Sequence, residues 1–144
     1  MTALKRFLLV LFLLFTDAAV AETGATLLVF TKEGCNYCER LMRDQIAPLK
    51  LNAELGWLNI VEVPMAGDEP MLLPDGRRAS GRALAKAYDI KLAPTVIFLI
   101  RQGAVAAAQL VGYTSPDFYG AFIDQRIEQL AAPSNRGQTT ISNP

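Results

Sequence analysis

The sequence contains no histidine and only two cysteines, Cys35 and Cys38, and these scarcities exclude more than the abundant residues do. Without an imidazole there is no histidine-based nucleophile triad. A structural zinc site wants four Cys or His ligands, and this chain offers two. Net charge is missing as well, since Lys plus Arg and Asp plus Glu both number 14. No strong field would draw the chain to nucleic acid or to an anionic membrane, and a protein or small-molecule partner is expected instead. A length of 144 residues suits one compact domain.

What is present begins with a leader pattern. Lys5 and Arg6 precede the short apolar run Phe7 to Phe15, which is followed by the small-residue site Ala19-Val20-Ala21. This reads as a secretion signal over residues 1–21, cleaved after Ala21 so that the mature chain starts at Glu22. A retained anchor is the other reading, but a span takes about 20 apolar residues and this run ends at Thr16-Asp17. In an oxidising compartment two cysteines tend to pair with each other.

Along the mature chain, Thr26 to Phe30 is a short run of strand formers bounded by Gly24 and Lys32-Glu33-Gly34, and it reads as a buried strand. From Asn36 onward Leu41, Met42, Ile46 and Leu49 recur at helical spacing, which predicts a helix with the cysteine pair in its first turn and a kink or end at Pro48. Trp57 to Val63 alternates as a second strand closed by Pro64. Residues 65–79 show no clear period and read as a long loop, either covering or binding something or an inconsequential insertion. Ser80 caps a predicted helix to Tyr88 with Ala83, Leu84 and Ala87 on one face. Thr95 to Ile100 and Ala104 to Val111 flank Arg101-Gln102-Gly103 as a hairpin. Ser115-Pro116-Asp117 opens a last helix with Phe118, Phe122, Ile123, Ile127 and Leu130 as its apolar positions. Residues 133–144 are polar and are expected to form a disordered tail after a domain spanning 22–132. Strands alternating with helices and ending in a hairpin predict an α/β fold, a mixed central sheet with helices on both faces.

The pair Cys35-Asn36-Tyr37-Cys38 sits where a strand feeds a helix. A helix N-terminus offers partial positive charge and free amides, so Cys35 is the expected thiolate. A thiolate attacks a partner disulfide, and a second thiol one helical turn on can displace that partner, which makes Cys38 the expected resolving thiol, more buried than Cys35. The competing reading is a disulfide that only staples a helix end, although so short a closed loop is a weak staple. Lys32 and Arg40 would favour the Cys35 thiolate, whereas Glu33 and Glu39 would oppose it.

The segment Phe30-Thr31-Lys32-Glu33-Gly34-Cys35-Asn36-Tyr37-Cys38 is similar to the glutaredoxin active-site segment, with Asn36 in place of a proline. Ala93-Pro94-Thr95 before a strand resembles the thioredoxin cis-proline loop, and Gly112 matches a glycine before the last thioredoxin helix. Together they resemble the thioredoxin superfamily, and within it exported bacterial thioredoxin-like proteins with a CxYC motif. A weaker likeness is to the SoxW-like branch, which is associated with periplasmic sulfur oxidation. The resemblance implies a thioredoxin-like fold, a cis Pro94 lying against the cysteine pair, and a substrate-binding surface made by Tyr37, Ala93 and Pro94. It also implies a periplasmic thiol-disulfide oxidoreductase that acts as a monomer on protein thiols and disulfides, fed by a membrane electron donor. No cofactor is expected beyond the Cys35–Cys38 disulfide. Thioredoxins carry a buried aspartate six residues before the first cysteine, where this chain has Val29, so Glu33, Glu39 or water is the expected proton acceptor for Cys38. Glutaredoxins hold glutathione with a Gly-Gly-x-Asp segment, where this chain continues from Gly112 to Tyr113-Thr114. Two other functions stay open: a binding module with an inert disulfide, and a dedicated oxidant that introduces disulfides.

Overall fold

The computed structural model describes residues 24–100 and 104–131. The leader read over 1–21, the hairpin tip 101–103 and the tail 133–144 lie outside the described residues.

Among the described residues the main sheet has four strands in the order β2-β1-β5-β6: β1 (Ala25–Thr31), β2 (Leu58–Pro64), β5 (Thr95–Leu99) and β6 (Val105–Val111). The order follows from composition. The runs TLLVF and TVIFL have no polar alternation because β1 and β5 sit in the middle, with Leu27, Leu28, Val29 and Phe30 each at 2% exposure or less. Strands β2 and β6 are the outer pair and carry exposed positions among buried ones. β2 runs parallel to β1, with Val29 opposite Glu62, while β5 is antiparallel to β1 and β6 to β5. A parallel neighbour needs a crossover, which the helical stretch after β1 supplies.

That stretch starts as α1 (Asn36–Leu41), widens into a π-helical segment (Met42–Ile46) and continues as α2 (Ala47–Leu51). Pro48 therefore does not end the helix. It lacks the N–H of a regular ladder, and its ring would press on the carbonyl four residues earlier. Just before it, the Ala47 N–H donates to Met42 O, five residues back, so the wider turn takes up the strain of the proline.

The segment read as a long loop contains a small antiparallel hairpin, β3 (Pro70–Leu72) with β4 (Arg78–Ser80). Its tip is tied by Gly76 N–H to Leu73 O at 2.9 Å and by Arg77 N–H to Asp75 Oδ1 at 2.9 Å, with Gly76 at φ +81°. Ser80 then caps α3 (Gly81–Ala87), its hydroxyl accepting from Ala83 N–H at 3.2 Å. Leu84 faces inward as expected, but Ala83 and Ala87 are exposed and the buried partners are Gly81 and Ala85. The last helix, α4 (Pro116–Ala131), keeps Ile123, Ile127 and Leu130 inward as expected but differs at its first two turns. Tyr119, Ile123, Ile127 and Leu130 are buried, whereas Phe118 and Phe122 are exposed.

Two cores result, one on each face of the sheet. The first joins Leu27 and Val29 to Leu41 and Ile46 of the long helical stretch and to Tyr119, Ile123 and Ile127 of α4. The second joins Leu28, Phe30 and Val63 to Leu73 of the hairpin and Leu84 of α3. Helices therefore cover both faces of a mixed sheet, the layering of a thioredoxin-like fold.

Candidate active site

One end of the sheet gathers the residues singled out by the sequence. β1 ends there at Thr31, and Gly34, at φ +68°, turns the chain back into α1. Only a residue without a Cβ adopts that backbone cheaply. β5, antiparallel to β1, begins at the same end, with Thr95 opposite Phe30. Pro94 is therefore carried to the end of the sheet from which Cys35 departs.

Cys35 and Cys38 form a disulfide with their Cα atoms 5.2 Å apart. Cys35 is the N-cap of α1: its carbonyl accepts from Cys38 N–H at 2.9 Å and Glu39 N–H at 3.1 Å, and its Sγ accepts from Cys38 N–H at 3.2 Å. The sulfur of Cys35 thus lies where the helix presents its unpaired amides, the position that favours a thiolate on reduction. Cys38 is 3% exposed, and Cys35 is more accessible. Tyr37, between them, is 58% exposed. Lys32, Glu33 and Glu39 are all exposed around the pair.

The Ala93–Pro94 peptide is cis, with Pro94 buried and Ala93 half-buried. Two bonds hold this loop. Thr95, 1% exposed, donates its hydroxyl to Leu92 O at 2.8 Å, and Gly112 N–H, at φ +80°, donates to Pro94 O at 2.8 Å. Beyond Gly112, the ring of Tyr113 meets Tyr119 edge-on at 5.0 Å, and its hydroxyl donates to Asp44 Oδ2 at 3.1 Å. Arg40 lies 5.8 Å from the centroid of the Tyr113 ring. Burial pushes the Tyr113 phenol above its ordinary range, and the Arg43 guanidinium beside Asp44 holds that carboxyl below the usual carboxylate range. This bridge fastens the cysteine-bearing helix to the loop that follows β6.

One polar pair at this end escaped the sequence. Thr31 Oγ1 donates to Glu62 Oε1 at 3.2 Å, joining β1 to β2. Strand alternation placed Glu62 in a strand, but the partner strand and its register are not written locally. Among the described residues, no group of three or more His, Cys, Asp or Glu is placed to hold a metal ion.

A family model described as a thioredoxin-like domain matches residues 15–127. No curated protein sequence matches the chain. Among solved structures, the Trxlp protein of Edwardsiella tarda EIB202 is similar at TM-score 0.52 and 19% identity, over 76% of this chain and 90% of that one. Thioredoxin-2, a component of the malaria parasite protein secretion machinery, is similar at TM-score 0.51 and 16% identity, over 72% and 84%. The periplasmic thioredoxin SoxS of Paracoccus pantotrophus aligns at TM-score 0.49 and 21% identity, over 73% and 97%. At these identities the two matches above 0.5 show a shared fold.

Proposed function

This chain belongs to the thioredoxin-like domain family and is a thiol-disulfide oxidoreductase, and we propose that it works in the periplasm on protein disulfides, as a reductant or isomerase. The observation that carries the reading is the disulfide at the start of α1, with Cys35 Sγ against the Cys38 amide. In the forward direction the Cys35 thiolate attacks a partner disulfide, and Cys38 then displaces the partner from the mixed disulfide. Tyr37, Ala93 and Pro94 form the surface on which the partner's chain lies. The backbone of Ala93 pairs with it as an added strand.

Residues 1–21 act as the export signal, 22–132 form the working domain and 133–144 a tail. Both sulfurs lie in one chain, so a monomer suffices. A reductant in an oxidising compartment must be recharged from outside that compartment, and a membrane electron donor meets the need. Cys35→Ser should abolish reduction of an insulin disulfide by the dithiol protein, and full activity in that variant would refute the reading. Expressed with its leader, Cys38→Ala should accumulate in mixed disulfide with its natural partner, which identifies substrate and direction together.

A further inference from the structure

Resolving a mixed disulfide requires Cys38 as a thiolate, yet Cys38 is 3% exposed. Its proton has to pass to an acceptor at the edge of the fold. Side chains of β1 alternate, so Leu27, Val29 and Thr31 share one face, and Leu27 and Val29 place that face under Leu41 and Ile46 of the helical stretch. Cys38 precedes Leu41 by one helical turn, toward the end of the sheet where β1 finishes. Val29 there is fully buried and its side chain has no polar atom. Across the parallel ladder, however, Val29 is paired with Glu62. Leu58 and Ile60 of β2 belong to the same core as Val29, and the period of two puts Glu62 on their face. Thr31, 7% exposed, donates its hydroxyl to the Glu62 carboxylate at 3.2 Å.

We infer that Glu62 is the proton acceptor for Cys38, reached through the Thr31 hydroxyl; the inference rests on the reading of Cys38 as resolving thiol. The Cys38 S–H proton passes to Thr31 Oγ as Thr31 passes its own proton to Glu62. The Cys38 sulfur attacks Cys35 Sγ, and the bond from Cys35 to the partner breaks with its electron pair on the partner sulfur. The two cysteines are thereby oxidised to the disulfide, and the partner is reduced to a thiolate that takes a proton from solvent. Glu62 is exposed on the outer strand and returns its proton to water.

Other charged groups surround this face. β1 has none, and the turn after it adds Lys32 and Glu33. The helical stretch above carries Glu39, Arg40, Arg43, Asp44 and Lys50. Arg43 pairs with Asp44 at 2.8 Å, Arg40 lies over Tyr113, and Lys50 lines a hollow with Leu58 and Ile60 further down β2. On the opposite face α3 carries Lys86 and Arg82, the latter paired with Asp68 at 2.6 Å. Glu39, exposed in the first turn of α1, has the strongest competing claim.

The test mixes the reduced full-length protein with dithiobis(nitrobenzoate) and follows absorbance by stopped flow from about pH 5 to about pH 9. Attack by Cys35 releases one nitrothiophenolate, and resolution by Cys38 releases a second. Glu62→Gln should slow the second release on the order of tenfold at neutral pH, with the deficit closing as hydroxide takes over. Glu62→Asp should recover part of the rate, and Thr31→Val should slow the second release where Thr31→Ser does not. The first release reports a folded, reactive Cys35 in every variant. A second release in Glu62→Gln as fast as in the unsubstituted protein, or slowed only by Glu39→Gln, overturns the inference. An unsubstituted protein that gives a first release and no second overturns the functional reading instead.

Discussion

At the scale of single residues, the site depends on side chains that hold backbone in place around the sulfurs. Thr95 is the clearest case. Its hydroxyl satisfies the Leu92 carbonyl from a position 1% exposed, so Thr95→Val keeps the shape and leaves that carbonyl without its partner. A loss of about 1–3 kcal/mol is expected, read from the urea midpoint of the oxidised protein. Gly81 is constrained by space, since a Cβ there would collide with the Pro64 carbonyl, which is backbone and cannot swing aside. Gly81→Ala should therefore destabilise by about 1–3 kcal/mol, despite the better helix propensity of alanine. A stability equal to or above the original protein would contradict the packing described between α3 and the end of β2.

At the scale of elements, the outer surface of α4 tests which face the helix buries. Ile123, 1% exposed in the first core, should cost about 2–5 kcal/mol as Ile123→Ala. Phe118, 72% exposed, should change stability by less than about 0.5 kcal/mol as Phe118→Ala. The sequence alone holds two adjacent apolar stripes on this helix, and spacing cannot choose between them. The choice is made by tertiary contacts, the edge-on packing of Tyr119 on Tyr113 and the Gln45 amide donating to Pro116 O at 3.0 Å. The central strands were legible because burial on both faces leaves an unbroken apolar run. The β3–β4 hairpin was not, because three-residue strands are shorter than any period that could reveal them. The π-helical segment was also hidden, since a proline marks a break without saying how the ladder absorbs it. The cysteine pair was readable because its geometry is local to one turn. The Thr31–Glu62 bond was not, because it joins residues 31 apart in sequence through a strand register.

At the scale of the whole molecule, an end of each of the four strands lies at the end of the sheet where α1 starts with the disulfide, and the packing of the described elements holds that end together. Charge contributes to this from the surface. Hydrogen bonds from Arg43, Arg82 and Arg77 hold the carboxyls of Asp44, Asp68 and Asp75 below the usual aspartate range. A carboxyl whose folded value is depressed stabilises the fold above its unfolded value, about 3.9, and loses that contribution as pH falls through the folded one. The urea midpoint should therefore drop as pH falls below about 4, and Arg82→Gln should make that drop smaller. An acid limb unchanged in Arg82→Gln would remove the Asp68 pair from the account. The central claim, that Cys35 and Cys38 are a working redox couple, is tested most directly by equilibrating the protein with dithiol buffers of known potential and measuring the fraction of disulfide. The account predicts a potential above about −300 mV, whereas a value below it is that of a structural disulfide and would contradict the account.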